Sequence, residues 1–476
     1  MPNFLLIAPE LFLAVMASQL LAFGVGGKKD RKDLIRYIAI GVLIIYAFSG
    51  FILGMPTGTA LKGALVMDSF SHYIKMILGL SGAAALYLAK DFFKRENLDK
   101  YEYSVLLLYS ILGMSIMASS NTLLTLYIGV EMQSLALYVL AAWNRDSLRA
   151  SEAGLKYFVL GALSSGFILY GISLIYGFTG SIDYARIAEV VDGGATPGVI
   201  AGMVFLLCGL GFKISAAPFH MWTPDVYEGS PTPVTGFFAS APKFAAMAVI
   251  ARLVTEPFGG IADQWQQVII VFAVLSMYVG AIGALTQTNI KRLMAYSSIA
   301  NMGYALVPLA AGGPEGIRGL LIFMTIYVIT VIGIFACILQ MRIRNGMVEQ
   351  ISDLGGLSKN NKPLAILLTM FMLSVAGIPF FVGFFGKLFA FAPAFEAGLA
   401  WLVVLALLAS VIGAFYYLRI IKTIWFDEPE NEFVTAPNEL RFMATVSGLL
   451  VFPILVLPFV AVPLQGWISQ AANGLF

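Results

Sequence analysis

The chain is poor in the residues that hold metals and redox groups. Its 476 residues include only two cysteines, Cys208 and Cys337, which lie far apart in separate apolar stretches. This excludes a disulfide framework and cysteine ligation of zinc or of an iron-sulfur cluster. The two histidines, His72 and His220, are too few for a bis-histidine haem or a metal site. We therefore expect this chain to carry no cofactor and no metal of its own.

Charged residues are also scarce. Only 12% of the residues are charged and 59% are hydrophobic, whereas soluble domains carry about 25% charged residues. Apolar runs of about 20 residues, the length that crosses a bilayer, recur from Phe4 to Trp467. The sequence thus predicts an integral membrane protein without a sizeable soluble domain. Its first run lacks the basic start and the cleavage site of a signal peptide, so we expect it to be the first spanning helix.

The apolar runs predict an all-α, polytopic protein of about fourteen transmembrane helices. The expected spans cover about residues 4–24, 35–54, 69–89, 104–120, 122–143, 154–177, 197–223, 233–254, 266–287, 290–310, 316–341, 363–392, 399–421 and 441–467.

Basic residues indicate the orientation of these spans. Of the 29 lysines and arginines, 20 lie in the odd-numbered connectors, and only Lys62, Arg186, Arg252 and Arg318 lie in even-numbered ones. Connectors rich in lysine and arginine remain in the cytoplasm. With an even number of spans, both termini are expected on the opposite face.

Two spans contain residues that interrupt a helix. Pro218 lies inside the seventh span, and Gly377 and Pro379 lie inside the twelfth. Proline removes a backbone donor and clashes with the preceding turn, so each break must face protein or water. Two such helices in corresponding places are typical of an inverted-repeat transporter core. We expect helices 1–3 within residues 1–103, a first repeat of helices 4–8 within 104–255, a second repeat of helices 9–13 within 265–425, and a C-terminal helix within 440–476.

Six ionisable residues lie inside the apolar runs. They are Glu131, Lys75, Lys156, Lys213, Lys243 and Lys387. A charge at the middle of a bilayer costs roughly 2.5–3.5 kcal/mol even on the most lenient scale. A row of them indicates proton or ion movement.

The central members of this row have different expected roles. Glu131 is the only acidic residue deep in an expected span, and it is either a proton-carrying acid or half of a structural ion pair. Lys213 and Lys243, near the middles of the seventh and eighth spans, are its expected partners or relay members. Lys387, eight residues after Pro379, has no acidic neighbour in the sequence, which favours a cavity-facing role over snorkelling.

The other ionisable residues allow two interpretations. Lys156 lies four residues after Glu152 near the start of the sixth span, so an ordinary helix-end pair competes with a relay role. Lys75, close to Asp68 at the start of the third span, is expected to snorkel to the membrane surface. His220, in the broken seventh span, either passes a proton between its two ring nitrogens or simply satisfies a hydrogen bond.

Two long stretches resemble a known family. KISAAPFHMWTPDVYEGSPTPVTGFF at 213–238 and TNIKRLMAYSSIANMGY at 288–304 are similar to the antiporter-like membrane subunits of respiratory complex I, the proton-pumping NADH:quinone oxidoreductase. The similarity extends over essentially the whole chain. Within that group the chain resembles the subunit N type. Lys387 stands where the subunit M type is expected to carry glutamate, and the sequence has no long lateral helix of the kind expected after the last span of the subunit L type.

The resemblance implies a role for each buried ionisable group. It implies a polar axis at mid-membrane made of Glu131, Lys156, Lys213, Lys243 and Lys387, with His220 as a link. Many relatives have histidine where this chain has Asn301, which holds water through its amide but does not titrate.

The resemblance also implies a translocase that couples electron transfer from NADH to quinone to proton pumping. NAD, FMN, iron-sulfur clusters and quinone would then be bound by other membrane and peripheral subunits, which are the implied partners. The chain would span the bacterial inner membrane with both termini on the periplasmic side. The alternatives are a subunit of a multisubunit cation/proton antiporter and a non-pumping scaffold whose buried charges are structural.

Overall fold

A computed structural model of the chain describes residues 4–26, 31–343, 346–429, 433–434, 438–451 and 462–476. Within them the chain is almost entirely helical. Its helices are α1 Ala8–Val25, α2 Lys32–Ile52, α3 Ser69–Arg95, α4 Glu102–Ala118, α5 Leu123–Ala141, α6 Leu148–Thr179, α7 Tyr184–Asp192, α8 Pro197–Lys213, α9 Trp222–Gly229, α10 Thr232–Phe238, α11 Ala241–Thr255, α12 Ala262–Leu285, α13 Ile290–Ala311, α14 Gly313–Ile338, α15 Leu357–Asn360, α16 Lys362–Ala376, α17 Val382–Glu396, α18 Ala400–Phe426, α19 Asn438–Leu450 and α20 Val462–Asn473.

The helices coincide with the apolar runs of the sequence. In the described part of the chain, nine helical stretches are long and apolar enough to cross a membrane, and α4, α8 and α16 are shorter apolar helices. Each of the first thirteen expected spans corresponds to one helix or to two consecutive helices, which confirms the all-α polytopic fold. The fourteenth, 441–467, corresponds to α19 and α20, but its residues 452–461 lie outside the described ranges.

Both expected helix breaks are present. The seventh span is divided into α8 and α9 by residues 214–221, and the twelfth into α16 and α17 by residues 377–381. The eighth span is also divided, into α10 and α11 at residues 239–240, which the sequence analysis did not predict. Pro242 lies in the first turn of α11 and has no N–H to donate to the carbonyl four residues earlier, so the helix has to begin again here.

Small elements in the connectors were also missed. Strands β1 Gly58–Ala60 and β2 Leu65–Met67 form an antiparallel hairpin before α3. Strands β3 Arg342–Ile343, β4 Gly346–Met347 and β5 Phe433–Val434 form a three-stranded sheet in the order β4-β3-β5. These strands have two or three residues each, too few to show an alternating pattern.

Glycines allow several helices to pack closely. A Cβ at Gly113 in α4 would lie 2.5 Å from the backbone nitrogen of Gln133 in α5, and one at Gly171 in α6 would lie 2.6 Å from the carbonyl oxygen of Gly202 in α8. Such small residues are typical of helix interfaces in membranes. The centre of the bundle is α11, in which every residue from Ala241 to Val254 is buried. Because α11 packs against α3, α4, α8 and α14, a charge on this helix is surrounded by protein on all sides.

A row of buried lysines as the candidate functional site

Glu131 and Lys213 lie on neighbouring helices, and hydroxyl groups separate them. Glu131 is in α5, and Ser165 of α6 donates a hydrogen bond to its Oε1. Lys213, the last residue of α8, is 5% exposed, and its Nζ donates to Ser134 Oγ at 2.8 Å and to Tyr138 OH at 3.4 Å. Ser134 and Tyr138 lie three and seven residues after Glu131, so all three share one face of α5. Amine and carboxylate are therefore close along one helix face without forming a direct ion pair in the described part of the chain.

Lys243 lies at the centre of the bundle. It is in the first turn of α11 and is 1% exposed. Its Nζ donates to Ser298 Oγ of α13 at 2.5 Å, and the same hydroxyl pairs with Tyr327 OH of α14 at 2.6 Å. The amine also lies 5.4 Å from the ring centroid of Tyr227 in α9, where the ring face favours positive charge. Within the described residues, the charge of Lys243 is balanced by hydroxyl groups and an aromatic ring and by no carboxylate.

Lys387 occupies the break of the twelfth span. Its Nζ donates to the Ala376 carbonyl at 2.9 Å, at the end of α16, and to Ser410 Oγ of α18 at 2.7 Å. Gly377 has φ of +87°, and a Cβ there would lie 3.0 Å from Lys387 Cδ. This glycine therefore permits the left-handed turn and leaves room for the lysine. A cavity of about 400 Å³ adjoins Lys387, and Glu396, nine residues later in α17, lines it too.

Helix α13 carries polar side chains between Lys243 and Lys387. They are Ser297, Ser298, Asn301 and Tyr304. Ser298 binds Lys243, while Ser297 pairs with Tyr417 OH of α18 at 2.5 Å. Asn301 Nδ2 donates to the Ser297 carbonyl at 2.8 Å and lies 3.5 Å from Tyr417 OH. Lys387 Nζ lies 5.0 Å from the Tyr304 ring centroid. Because Ser298, Asn301 and Tyr304 follow one another at intervals of three residues, about one turn, this side of α13 forms a polar strip between the two lysines.

His220 lies in the loop that joins α8 to α9. The loop is partly exposed at the surface of the chain, at Pro218 and Met221. His220 Nδ1 is buried, and it has no hydrogen-bond partner among the described residues. The structure thus places the imidazole at the helix break, and no hydrogen bond in the described part joins it to Lys213 or Lys243.

Several buried hydroxyl groups between the seventh and eighth spans also lack a partner. In the described part of the chain, no group pairs with Ser215 Oγ, Thr223 Oγ1, Tyr227 OH or Ser230 Oγ. Buried polar groups without a protein partner are normally satisfied by water. These groups, which lie between Lys213 and Lys243 in the sequence, therefore offer binding sites for water.

Lys156 lies at the end of the bundle, apart from the other lysines. Its side chain is 42% exposed, and its Nζ lies 2.7 Å from Glu152 and 2.9 Å from Asp225 of α9. Asp225 also pairs with Arg292 of α13 at 2.7 Å, and Arg292 pairs with Glu228 at 3.0 Å. The helix-end pair with Glu152 is thus present as part of a larger network, around a cavity of about 140 Å³.

The expectation that Lys75 snorkels to the surface is wrong. Lys75 is 3% exposed and its Nζ lies 2.6 Å from Oε1 of Glu10, which is itself buried. Glu10 is thus a buried acidic residue that the sequence analysis missed, whereas Glu131 is only partly buried. Glu10 lies in the first turn of α1, where an acidic residue in the sequence normally indicates a solvated helix end.

Hydroxyl groups are the part of the site that the sequence analysis missed. They bind the buried ionisable groups and come from α5, α6, α13 and α18: Ser134, Tyr138, Ser165, Ser298 and Ser410. Only Ser134 and Tyr138 could have been found from the sequence, because they follow Glu131 at helical spacing. Among the residues that the structure describes, no three histidine, cysteine or acidic side chains come together as a metal site.

The broken helices and the central row of buried amines define an antiporter-type membrane protein. A family model described as "NADH:quinone oxidoreductase/Mrp antiporter, TM" matches residues 120–413, more than half of the chain. A chain in the structure of the Mrp complex from Dietzia sp. DQ12-45-1b has the same fold, with a TM-score of 0.87 and 21% identity over 99% of this chain and 98% of that chain.

Relatives that match nearly the whole chain identify a narrower family. NADH-quinone oxidoreductase subunit N of Maricaulis maris is 54% identical over 464 residues, 97% of this chain and 95% of the relative. Subunit N of Parvibaculum lavamentivorans is 51% identical over 463 residues, 96% of this chain and 95% of the relative. A chain of respiratory complex I from Thermus thermophilus with bound aureothin matches with a TM-score of 0.82 and 32% identity, over 96% of this chain and 98% of that chain. The chain belongs to the NADH-quinone oxidoreductase subunit N family.

Proposed function

We propose that this chain is a proton-translocating membrane subunit of an NADH:quinone oxidoreductase, in which buried amines carry the proton. The observation that supports this most directly is Lys243, a lysine at the centre of the bundle whose partners in the described part are a serine hydroxyl and a tyrosine ring. A buried ammonium held without a carboxylate is costly. Unlike arginine, lysine can also exist there as a neutral amine, so it can be loaded and unloaded.

The proposed route follows the polar groups along the bundle. Glu131 and Ser134 lie on one face of α5, and Ser134 accepts a hydrogen bond from Lys213 of α8. When the carboxylate approaches, it favours the protonated form of Lys213, and when it withdraws, the proton passes to Lys243. From there, α13 leads to Lys387.

We assign Lys156 to the beginning of this route and His220 to a link within it. His220, with its unpartnered Nδ1, lies beside the buried hydroxyl groups of the seventh span and would pass protons along a water chain there. Lys156, in the half-exposed network with Asp225, would take up protons at the face where the basic connectors lie.

We also propose the membrane, the partner subunits and the repeat organisation that belong to this function. The complex would be a translocase in a bacterial inner membrane, with both termini of this chain periplasmic. NAD, FMN, iron-sulfur clusters and quinone would be bound by the other membrane and peripheral subunits. Residues 104–255 and 265–425 would be two inverted repeats, after helices 1–3 within residues 1–103 and before a last helix within 440–476. In support, each repeat contains a broken helix with a lysine at the break, Lys213 or Lys387.

The experiment compares substitutions at Lys243 in the assembled complex. In inverted membrane vesicles, Lys243→Arg and Lys243→Met should both lose NADH-driven proton uptake, because guanidinium does not deprotonate in proteins and methionine cannot bind a proton. Lys422→Arg is the matched control, since Lys422 is a surface residue paired with Asp427.

Two outcomes would contradict the proposal. Full proton uptake by Lys243→Arg would show that a fixed positive charge is sufficient. Wild-type cation uptake that requires sodium and resists a protonophore would favour the multisubunit antiporter.

A further inference from the structure

A buried ion pair lies outside the lysine row, in the N-terminal helices. Glu10 of α1 and Lys75 of α3 are 6% and 3% exposed, and their charged atoms lie 2.6 Å apart. Moving two charges out of water costs several kcal/mol per ion, which their attraction offsets only in a favourable geometry. Well-packed apolar residues in the same place are often as stable or more stable. Stability alone therefore does not explain why these helices carry a carboxylate and an amine.

Only one of the two carboxylate oxygens of Glu10 has a hydrogen-bond partner in the described part of the chain. Ser115 Oγ of α4 donates to Oε1 at 2.8 Å, and Tyr46 OH of α2 donates to that serine at 2.6 Å. Oε2 is buried and has no hydrogen-bond partner in the described part of the chain. An ionised carboxylate normally accepts hydrogen bonds on both oxygens, and leaving one unpaired is expensive. A proton on Oε2 would remove that cost, since it neutralises the group.

The amine of Lys75 is also weakly held. An ammonium group has three donors. Besides Glu10, the partner of Nζ in the described part is the thioether of Met67 in β2, at 2.8 Å. Sulfur is a weak acceptor, so the attraction of Glu10 supplies most of what holds the charge. Glu10 and Lys75 therefore form one unit, in which each charged group is the main partner of the other.

The pair lies near the end of the bundle opposite to Lys156. On the preceding turn of α3, His72 Nε2–H donates to the Pro56 carbonyl at 2.9 Å, and the histidine lines a cavity of about 20 Å³, which is enough for about one water. The other charge nearby on α3 is Asp68, which Arg252 of α11 binds at 2.8 Å. Asp68 is therefore already neutralised, and His72 lies on α3 between Lys75 and the start of that helix.

Helix α3, which carries Lys75, is also connected to the helix that contacts the lysine row. Tyr73 OH, two residues before Lys75, pairs with Thr325 Oγ1 of α14 at 2.6 Å. Two residues further along α14, Tyr327 pairs with Ser298, the hydroxyl that binds Lys243. A movement of α14 would thus change the surroundings of Lys243 and of α3 together.

We propose that Glu10 and Lys75 form a second proton-binding site, which releases protons at the face where α1 and α3 begin. This inference rests on the proposed function. The ion pair accepts one proton on Glu10 Oε2 and becomes a neutral carboxylic acid beside an ammonium. Loss of that proton to water near His72 restores the ion pair, so one proton is transferred in each cycle.

The experiment uses the double variant Glu10→Gln/Lys75→Met in the whole complex. The double variant removes both charges together and so leaves neither one unpaired. It should assemble at the wild-type level, as apolar or neutral replacements of buried ion pairs usually do. Its rate of NADH-driven proton translocation should fall by about tenfold or more, because positioned proton-transfer groups contribute about 10²–10⁴-fold to a rate.

The possible outcomes separate this inference from the proposed function. Normal assembly with normal proton translocation would overturn the inference and make the pair structural. Failure of the double variant to assemble would likewise assign the pair to folding. Lys243→Arg is measured in parallel. If it loses translocation while the double variant keeps it, only the second site is wrong, and if Lys243→Arg also translocates normally, the proposed function fails first.

Discussion

The central site and the N-terminal helices use the same kinds of residue in two different arrangements. In the N-terminal helices, Glu10 and Lys75 bind each other directly, and a serine and a tyrosine complete the group. In the central site, Glu131 is bound by Ser165, and Lys213 by Ser134. A closed ion pair is neutral as a unit, whereas in the separated arrangement each charge depends on hydroxyl groups. The separated arrangement is therefore the one in which a small helix movement changes the charge balance most.

The largest effect is expected on assembly of the complex, from a substitution that breaks the Glu10–Lys75 ion pair. Lys75→Met leaves the Glu10 carboxylate buried and unpaired, which typically costs about 3–5 kcal/mol. We expect little assembled complex in the membranes, measured by subunit content. Lys213→Met is the comparison, since it leaves only neutral hydroxyl groups such as Ser134 without their partner. Equal assembly of the two variants would show that the two arrangements do not differ in stability.

The next largest effect is expected on proton translocation, at Glu131 and Lys213, whose charges are separated by hydroxyl groups. Glu131→Gln keeps the shape of the side chain and its contact with Ser165 but removes the charge that biases Lys213. Proton translocation should fall about a hundredfold, as expected for loss of a positioned acid or base, while assembly is maintained. The measurement is the rate of proton uptake by inverted vesicles, normalised to the amount of complex. Near-normal pumping would leave Glu131 as a structural residue.

A smaller effect is expected at the helix break that holds Lys387. Gly377→Ala places a Cβ at a φ of +87° and within 3.0 Å of Lys387 Cδ. The left-handed backbone costs about 1–2 kcal/mol for a residue with a side chain, and the lysine has to move away from Ser410. Pumping should fall severalfold. Gly166→Ala is the control, because a Cβ there has no neighbour within 4 Å. Identical activity of both variants would remove the break from the route.

The smallest effect is expected at Lys156. Its two ion pairs are half-exposed, and surface pairs contribute about 0.2–1 kcal/mol. Lys156→Gln should thus leave assembly unchanged. Because we propose that this lysine collects protons at the surface, the variant should take up protons more slowly only at high pH, where protons are scarce. The measurement is the pH dependence of proton uptake. A loss as large as that of Glu131→Gln would place Lys156 in the central route instead.

Within the described residues, the sequence by itself predicted the first thirteen spans and two of the three helix breaks, and it singled out Lys213, Lys243 and Lys387 as charges inside apolar spans. The bilayer imposes a fixed length of apolar residues on each span, and it makes each internal charge or proline costly enough to be informative. The missed break before α11 has a local cause in Pro242, but a proline in the first turn of a helix is also compatible with a continuous apolar run.

Only the tertiary structure decided which groups each charge contacts. Glu10 and Lys75 are 65 positions apart in the sequence, and each resembles an ordinary helix-end charge until α1 and α3 pack together. The same holds for Ser298 beside Lys243 and for Ser410 beside Lys387. Serines are common in membrane helices, and a single hydroxyl carries no sequence signal of its partner. Whether a buried amine meets a carboxylate or a hydroxyl depends on the rotation and separation of packed helices, which hydrophobic periodicity does not encode.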